Sequence, residues 1–254
     1  MKKILLSLAA LFSLTMHAEI KTKTVDYKHG DVSLQGYLAY DDSVKGARPA
    51  VLLIPEWWGL TDNLKNKARE VATMGYTAFA VDMYGNGKIT TDAKEAAQLA
   101  GQFYGKPLMA ERAKAGLDAL LASGLADSKK IAVIGFCFGG ATAQVLAYSG
   151  APVVGVVSFH GTPIPAPAGT HITAKFLLQQ GAIDPFIKPE EVSAFEDAAN
   201  KAGLDWQFIF YSGTVHSFTN PEADSYHLPG ASYNASSHHR SWALMGTFFK
   251  EVLK

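Results

Sequence analysis

Apolar positions along the chain follow two rhythms. Short runs rich in β-branched and aromatic residues alternate with longer stretches in which apolar side chains recur every three or four positions. Residues 25–27 and 32–40 read as a hairpin around His29-Gly30-Asp31. The continuous apolar run 50–54 reads as a strand buried on both faces, as does 77–81. Residues 62–74, 91–103 and 109–123 have helical spacing, the first stopping at Gly75. A strand over 130–134 runs at once into glycines and a helix over 140–148. Strands follow at 153–159, 176–180 and 206–211, with a helix at 189–202 that carries Pro at its start and a last helix at 237–253. Strands alternating with helices in this way predict an α/β fold: a mainly parallel, twisted sheet with helices on both faces, preceded by hairpin strands. In such sheets ligands bind beyond the carboxyl ends of the strands, so chemistry is sought just after each run.

No repeat, low-complexity segment or Pro/Gly/Ser-rich linker divides the chain, and residues 19–254 read as one domain. Two connections, 161–173 and 219–236, are long enough to suggest function or mobility. With 48% hydrophobic and 18% charged residues in 254, the chain is globular in composition. Equal numbers of basic and acidic residues, 23 each, leave no cationic footprint for nucleic acid. Residues 1–18 have the order of a secretory signal peptide: Lys2-Lys3, an apolar run from Ile4 to Leu14, then a small residue at Ala18. That run is too short to span a bilayer. Cleavage after Ala18 removes two lysines and no acid. It leaves a slightly acidic mature protein with no membrane anchor, expected in the periplasm or outside the cell.

The chain has one cysteine, Cys137, which cannot form an internal disulfide. A lone thiol in an oxidising compartment is a buried inert side chain, an intermolecular linker or a reactive group. Its setting decides between them. After the 130–134 strand comes Gly135-Phe136-Cys137-Phe138-Gly139-Gly140 and then a helix, which is the G-x-S-x-G elbow with Cys in place of Ser. A nucleophile on so sharp a strand-to-helix turn needs neighbours two residues away without side chains, and Gly135 and Gly139 meet that need. The helix beyond would aim free N–H groups and its positive end at the sulfur. Such an elbow predicts an acid and then a histidine further along. Asp184 follows the 176–180 strand and His216 follows the 206–211 strand, in that order. His216 would move the thiol proton and Asp184 would orient it. His160, after the 153–159 strand, precedes the acid and is read as a pocket residue. His238 and His239 precede the last helix as solvated or capping residues, and Asp82 is read as organising the Asp82-Met83-Tyr84-Gly85 loop. For Asp184 the alternative is a plain turn residue before Pro185.

The 50–54 strand ends in Pro55-Glu56-Trp57-Trp58-Gly59. A carboxylate among such apolar neighbours is costly to bury and should have a raised pKa, so Glu56 is expected to face the nucleophile, protonated or hydrogen-bonded to the thiol. The backbone N–H groups of Trp57 and Phe138 are the expected oxyanion donors. Glu56, the Cys elbow, Asp184 and the His216-Ser217-Phe218 turn together resemble the dienelactone hydrolase family, over residues 20–254. The resemblance implies an α/β-hydrolase fold, cofactor-free cleavage of cyclic or activated esters, and a Cys137 that rests as a thiol near Glu56 until substrate displaces it. Family members that act on dienelactone hold its carboxylate with two arginines, and the corresponding positions here are Asn86 and Asn220. Neutral amides lack the charge and fork that favour a carboxylate. An uncharged ester or lactone is therefore expected, contacted by Trp58, Tyr84, Asn86, Phe136, His160 and Asn220. No metal-ligand spacing or phosphate loop is present, so neither metal nor cofactor is expected. The protein is expected to be a monomer or small homo-oligomer. Two other functions fit parts of the pattern: a non-catalytic binder of small molecules on a hydrolase fold, and a thiol redox protein lacking a second Cys to resolve it.

Overall fold

The computed structural model describes residues 19–254; the segment read as a signal peptide lies outside them. Two long antiparallel strands, β1 (Ile20–His29) and β2 (Val32–Asp41), form the expected hairpin, with Gly30 at φ 57° in its turn. β3 (Arg48–Ile54), α1 (Asp62–Thr73) and β4 (Thr77–Ala80) follow. Next come α2 (Ala93–Gly101), α3 (Leu108–Ala122), β5 (Ala126–Phe136) and α4 (Phe138–Tyr148). β6 (Gly155–Phe159), β7 (Lys175–Gly181), α5 (Pro189–Ala202), β8 (Trp206–Tyr211) and α6 (Ala235–Val252) complete the chain, with a 3₁₀ turn at Ala223–Tyr226. The eight strands make one sheet in the order β1-β2-β4-β3-β5-β6-β7-β8. Pairing is parallel from β4 to β8, whereas β2 runs antiparallel to both its neighbours.

Strand alternation sorts the core into two layers. Ala50, Leu52 and Ile54 of β3 and Ile131 and Val133 of β5 face one side, where α3, α4 and α5 cover them through Leu117, Leu146 and Phe195. Val51, Leu53, Ala132 and Ile134 face the other, under Leu64 and Val71 of α1 and Met245 and Phe249 of α6. Every residue of the 50–54 run is fully buried, as an apolar run without alternation requires.

The differences from the sequence expectation lie at element ends. α2 is shorter than the periodic stretch, because Asp92 accepts from the Lys94 and Glu95 amides and caps it there. β5 starts at Ala126, so its polar residues 127–130 belong to the strand. α4 starts at Phe138, with no glycine-only linker before it. α6 begins at Ala235, capped by Asn234, so His238 and His239 lie inside the helix and neither caps it. His238 meets Tyr233 Oη at 3.1 Å, and half-burial lowers its pKa to about 4. Among the described residues no helix is long and apolar enough to cross a membrane.

Successive strands are added on one side of β3 (β4) and then on the other (β5). The strand order therefore reverses between β3 and β5, and a crevice opens beyond their carboxyl ends. The loop carrying Glu56 leaves β3 at that point, and Cys137 leaves β5 beside it.

Candidate active site

Cys137 is the single residue between β5 and α4, at φ 53° and ψ −119°. This conformation is strained for a residue with a Cβ and persists only because its surroundings enforce it. Its N–H donates to the Phe159 carbonyl (3.0 Å) and its carbonyl accepts from Gly140 N–H (2.9 Å). A Cβ on Gly135 would overlap the Gly139 carbonyl, and one on Gly139 would overlap the carbonyls of Ile54 and Pro55. The two glycines thus let β5, the elbow and the β3 loop approach at backbone contact. Among the described residues the amides of Phe138, at the start of α4, and of Trp57 donate to no acceptor. Both residues line the same cavity as the half-buried Cys137.

His216 stands on the loop after β8. It is held from behind by the long 219–236 connection, since its N–H donates to Gly230 O (3.1 Å) and its carbonyl accepts from Ser232 N–H (3.0 Å). Its ring Nδ1 is 2.8 Å from Asp184 Oδ2. The same Asp184 oxygen accepts from Gln180 Nε2 (2.5 Å), and Oδ1 accepts from Phe186 N–H (2.9 Å). Burial pushes the His216 pKa down. Its interactions with the neighbouring Cys137 sulfur and the Asp184 carboxylate outweigh it, raising the pKa to about 10. Asp184 is 7% exposed and fully hydrogen-bonded, which a simple turn residue would not be.

Glu56 departs from its expected partner. It is buried, but its Oε1 accepts from Ser217 Oγ (2.9 Å) and its Oε2 from Asn220 Nδ2 (2.6 Å). No hydrogen bond joins it to the thiol among the described residues, because both oxygens serve the loop that carries His216. Burial raises its pKa, as expected, against the lowering by these donors. Asp82 organises its loop as read, accepting from the amides of Tyr84, Gly85, Gly87 and Gln35.

Of the six residues expected to contact substrate, only His160 lines the cavity. Trp58 is buried against Tyr226, with ring centroids 4.3 Å apart, and Phe136 is buried in a stack with Phe159. Tyr84 donates to the Trp57 carbonyl at 2.8 Å, so it shapes the loop rather than the wall. Asn86 is exposed, pairs through its backbone with Ser33 and takes φ 52° in a turn. Asn220 is spent on Glu56. The cavity, about 260 Å³, is instead walled by residues of α2, the 102–107 turn and the Asp184 loop: Ala97, Ala100, Tyr104, Phe186 and Ile187. Leu228 closes it from the 219–236 connection. Hydrophobic patterning places these side chains on elements but cannot say which element folds over the elbow. His160 is wholly buried at φ 42°, its ring edge-on to His216 at 5.0 Å and its Nε2 2.8 Å from Thr219 Oγ1.

Sequence reading missed Lys67. It sits on the apolar face of α1 with Leu64, Ala68 and Val71 and is 3% exposed. A lysine where helical spacing calls for an apolar residue was the available signal. Among the described residues no cluster of three His, Cys, Asp or Glu could hold a metal.

An elbow after the fifth strand, an acid after the seventh and a histidine after the eighth are the parts of an α/β-hydrolase. The dienelactone hydrolase family model matches residues 34–253, and the chain belongs to that family. The chain is 29% identical over 236 residues to Protein usf of Aquifex pyrophilus, covering 90% of this chain and 98% of that protein. A relative in Aquifex aeolicus that carries the provisional name carboxymethylenebutenolidase is also 29% identical, over 91% of this chain and 98% of its own. Among solved structures, a dienelactone hydrolase-like promiscuous phosphotriesterase from metagenomic libraries superposes with a TM-score of 0.90. It is 38% identical and covers 94% of this chain and 100% of its own. The protein m3DLH gives 0.89 at 34% identity, over 92% and 99%.

Proposed function

We propose that this protein cleaves a small, uncharged carboxylic ester or lactone through a thioester on Cys137. The observation that carries the reading is the strained Cys137 elbow, set beside a His216–Asp184 pair and between two amides with no acceptor. His216 takes the thiol proton as the sulfur attacks the carbonyl carbon. The Trp57 and Phe138 amides hold the oxyanion that forms. Collapse expels the alcohol, which leaves with the proton from His216. His216 then deprotonates water, which attacks the thioester and releases the acid. Glu56 fixes the Ser217 and Asn220 side chains and so steadies the His216 loop.

Two features support a neutral, compact substrate. Among the described residues no Arg or Lys lines the cavity, and its walls are mainly Ala, aromatic and aliphatic. Its volume, about 260 Å³, lies at the small end for ligand sites. The family and the relative's carboxymethylenebutenolidase name support ester or lactone chemistry. Residues 1–18 would direct the enzyme to the periplasm or beyond the cell and be removed there.

The test is a panel of aryl esters, small lactones and an aryl phosphotriester, run on residues 19–254 beside Cys137→Ala. Turnover with a burst equal to enzyme concentration, and an acyl adduct on Cys137 by mass spectrometry, are expected. An active Cys137→Ala would end the reading. Mass spectrometry of the protein recovered from cells tests removal of residues 1–18.

A further inference from the structure

Lys67 is the one buried amine among the described lysines, on the sheet face opposite α3 and α4. Burying a charge without a matched partner is costly, and among the described residues its one hydrogen bond goes to a backbone carbonyl, not a carboxylate. Three features of its niche offset that cost. Nζ donates to the backbone carbonyl of Thr219 at 2.8 Å. The rings of Phe136 and Trp242 lie 5.0 and 5.1 Å from it, within cation–π range. Finally, the buried Glu56 carboxylate is near enough for the two charges to attract. Desolvation still lowers the Lys67 pKa to about 8.

Two of these, the Thr219 carbonyl and Glu56, converge on one segment. Thr219 follows His216 by three residues, and its hydroxyl meets His160 Nε2 at 2.8 Å. His160 in turn packs edge-on against the His216 ring at 5.0 Å. Glu56 grips the same segment through Ser217 and Asn220. Ser217 stands at φ 54°, a conformation that the loop does not hold by itself. A methionine would fill the same space without the charge.

We propose that Lys67 is a positioning residue for the reaction. Its ammonium clamps the Thr219 carbonyl, sets the Thr219–His160 contact and thereby holds the His216 ring in line with Cys137. The inference rests on the Cys137–His216 reading above. Lys67 touches no substrate, so its loss acts on turnover and leaves binding nearly unchanged.

The experiment compares Lys67→Met, Lys67→Arg, Thr219→Val and Cys137→Ala with wild type on one activated aryl ester, with kcat, KM and Tm measured for each. Lys67→Met is expected to lose tenfold or more in kcat, with KM within twofold and Tm equal to or above wild type. Lys67→Arg, which keeps the charge and the donor, should recover most of that loss. Thr219→Val, which keeps the carbonyl but not the hydroxyl, should lose several-fold in kcat alone. A Lys67→Met enzyme with wild-type kcat overturns the proposal, as does a loss that tracks a fall in Tm and is not restored by arginine. If Lys67→Met does not fold, a Thr219→Val enzyme with wild-type kcat overturns it instead. Cys137→Ala separates the two failures: if it is active, the thioester reading falls, and if it is dead while the lysine variants are normal, only the positioning role falls.

Discussion

Replacing Asp184 by Asn tests the orienting role most sharply, because every neighbour of its carboxylate is a donor. Oδ2 accepts from His216 Nδ1 at 2.8 Å and from Gln180 Nε2 at 2.5 Å, and Oδ1 accepts from Phe186 N–H at 2.9 Å. An amide offers one oxygen and one NH₂. If the NH₂ replaces Oδ1, it opposes the fixed Phe186 amide. If it replaces Oδ2, Gln180 can turn its own amide over, but the His216 ring must put its proton on the nitrogen facing the sulfur. That tautomer cannot accept the thiol proton. Loss of one charge-assisted hydrogen bond, about 1.5–3 kcal/mol, lowers the rate roughly 10- to 150-fold at 1.36 kcal/mol per decade. A wrong tautomer in a triad of this kind costs about 10⁴. Asp184→Asn is therefore expected to lower kcat by about 10² to 10⁴, with KM within threefold. The assay is steady-state hydrolysis of 4-nitrophenyl butyrate near neutral pH, with the melting temperature measured in parallel. A folded variant that keeps kcat within threefold of wild type refutes the orienting role.

Other outcomes follow from the same geometry. Although burial lowers the His216 pKa, its interactions with Cys137 and Asp184 raise it to about 10. A raised folded pKa adds stability that is complete below the unfolded value near 6.5 and is lost as pH rises through about 10. Cys137→Ala removes the largest raising influence, so the His216 Cε1–H titration followed by NMR should move to lower pH; an unmoved titration would show that the sulfur is not its neighbour. Gly135→Ala forces a methyl into the Gly139 carbonyl. A cost of about 3 kcal/mol corresponds to a melting temperature roughly 6–12 °C lower, and calorimetry showing no change would contradict the close approach. Ala97→Trp should raise KM several-fold by narrowing the cavity mouth, whereas Asn86→Ala should leave kcat/KM within twofold because Asn86 lies away from the cavity. The reverse pattern would mean that the binding cavity has been misplaced.

Local chemistry settled much of this protein before any folding. The order of apolar runs fixed a parallel sheet, since residues 50–54 and 131–134 have no polar face to turn to water and must be covered on both sides. The elbow at Cys137 was legible because glycine spacing is a short-range steric demand. Asp184 and His216 were legible because chain order relative to that elbow is one-dimensional information. What folding alone decided were contacts between segments remote in the chain. Glu56 accepts from residues 161 and 164 positions away, which gave its carboxylate two donors other than the thiol. The arginine-equivalent Asn220 was drawn into that bond, and Trp58 and Phe136 turned into the core, so they never reached the cavity. Ala97, Tyr104 and Leu228 became its wall only because α2 and the 219–236 connection close over the elbow. The niche of Lys67 also came from folding, as α6 brought Trp242 and the loop after β8 brought Thr219 to it. Periodicity records which side of a helix or strand is apolar, but the partner that meets that side is chosen by the packing of the whole sheet.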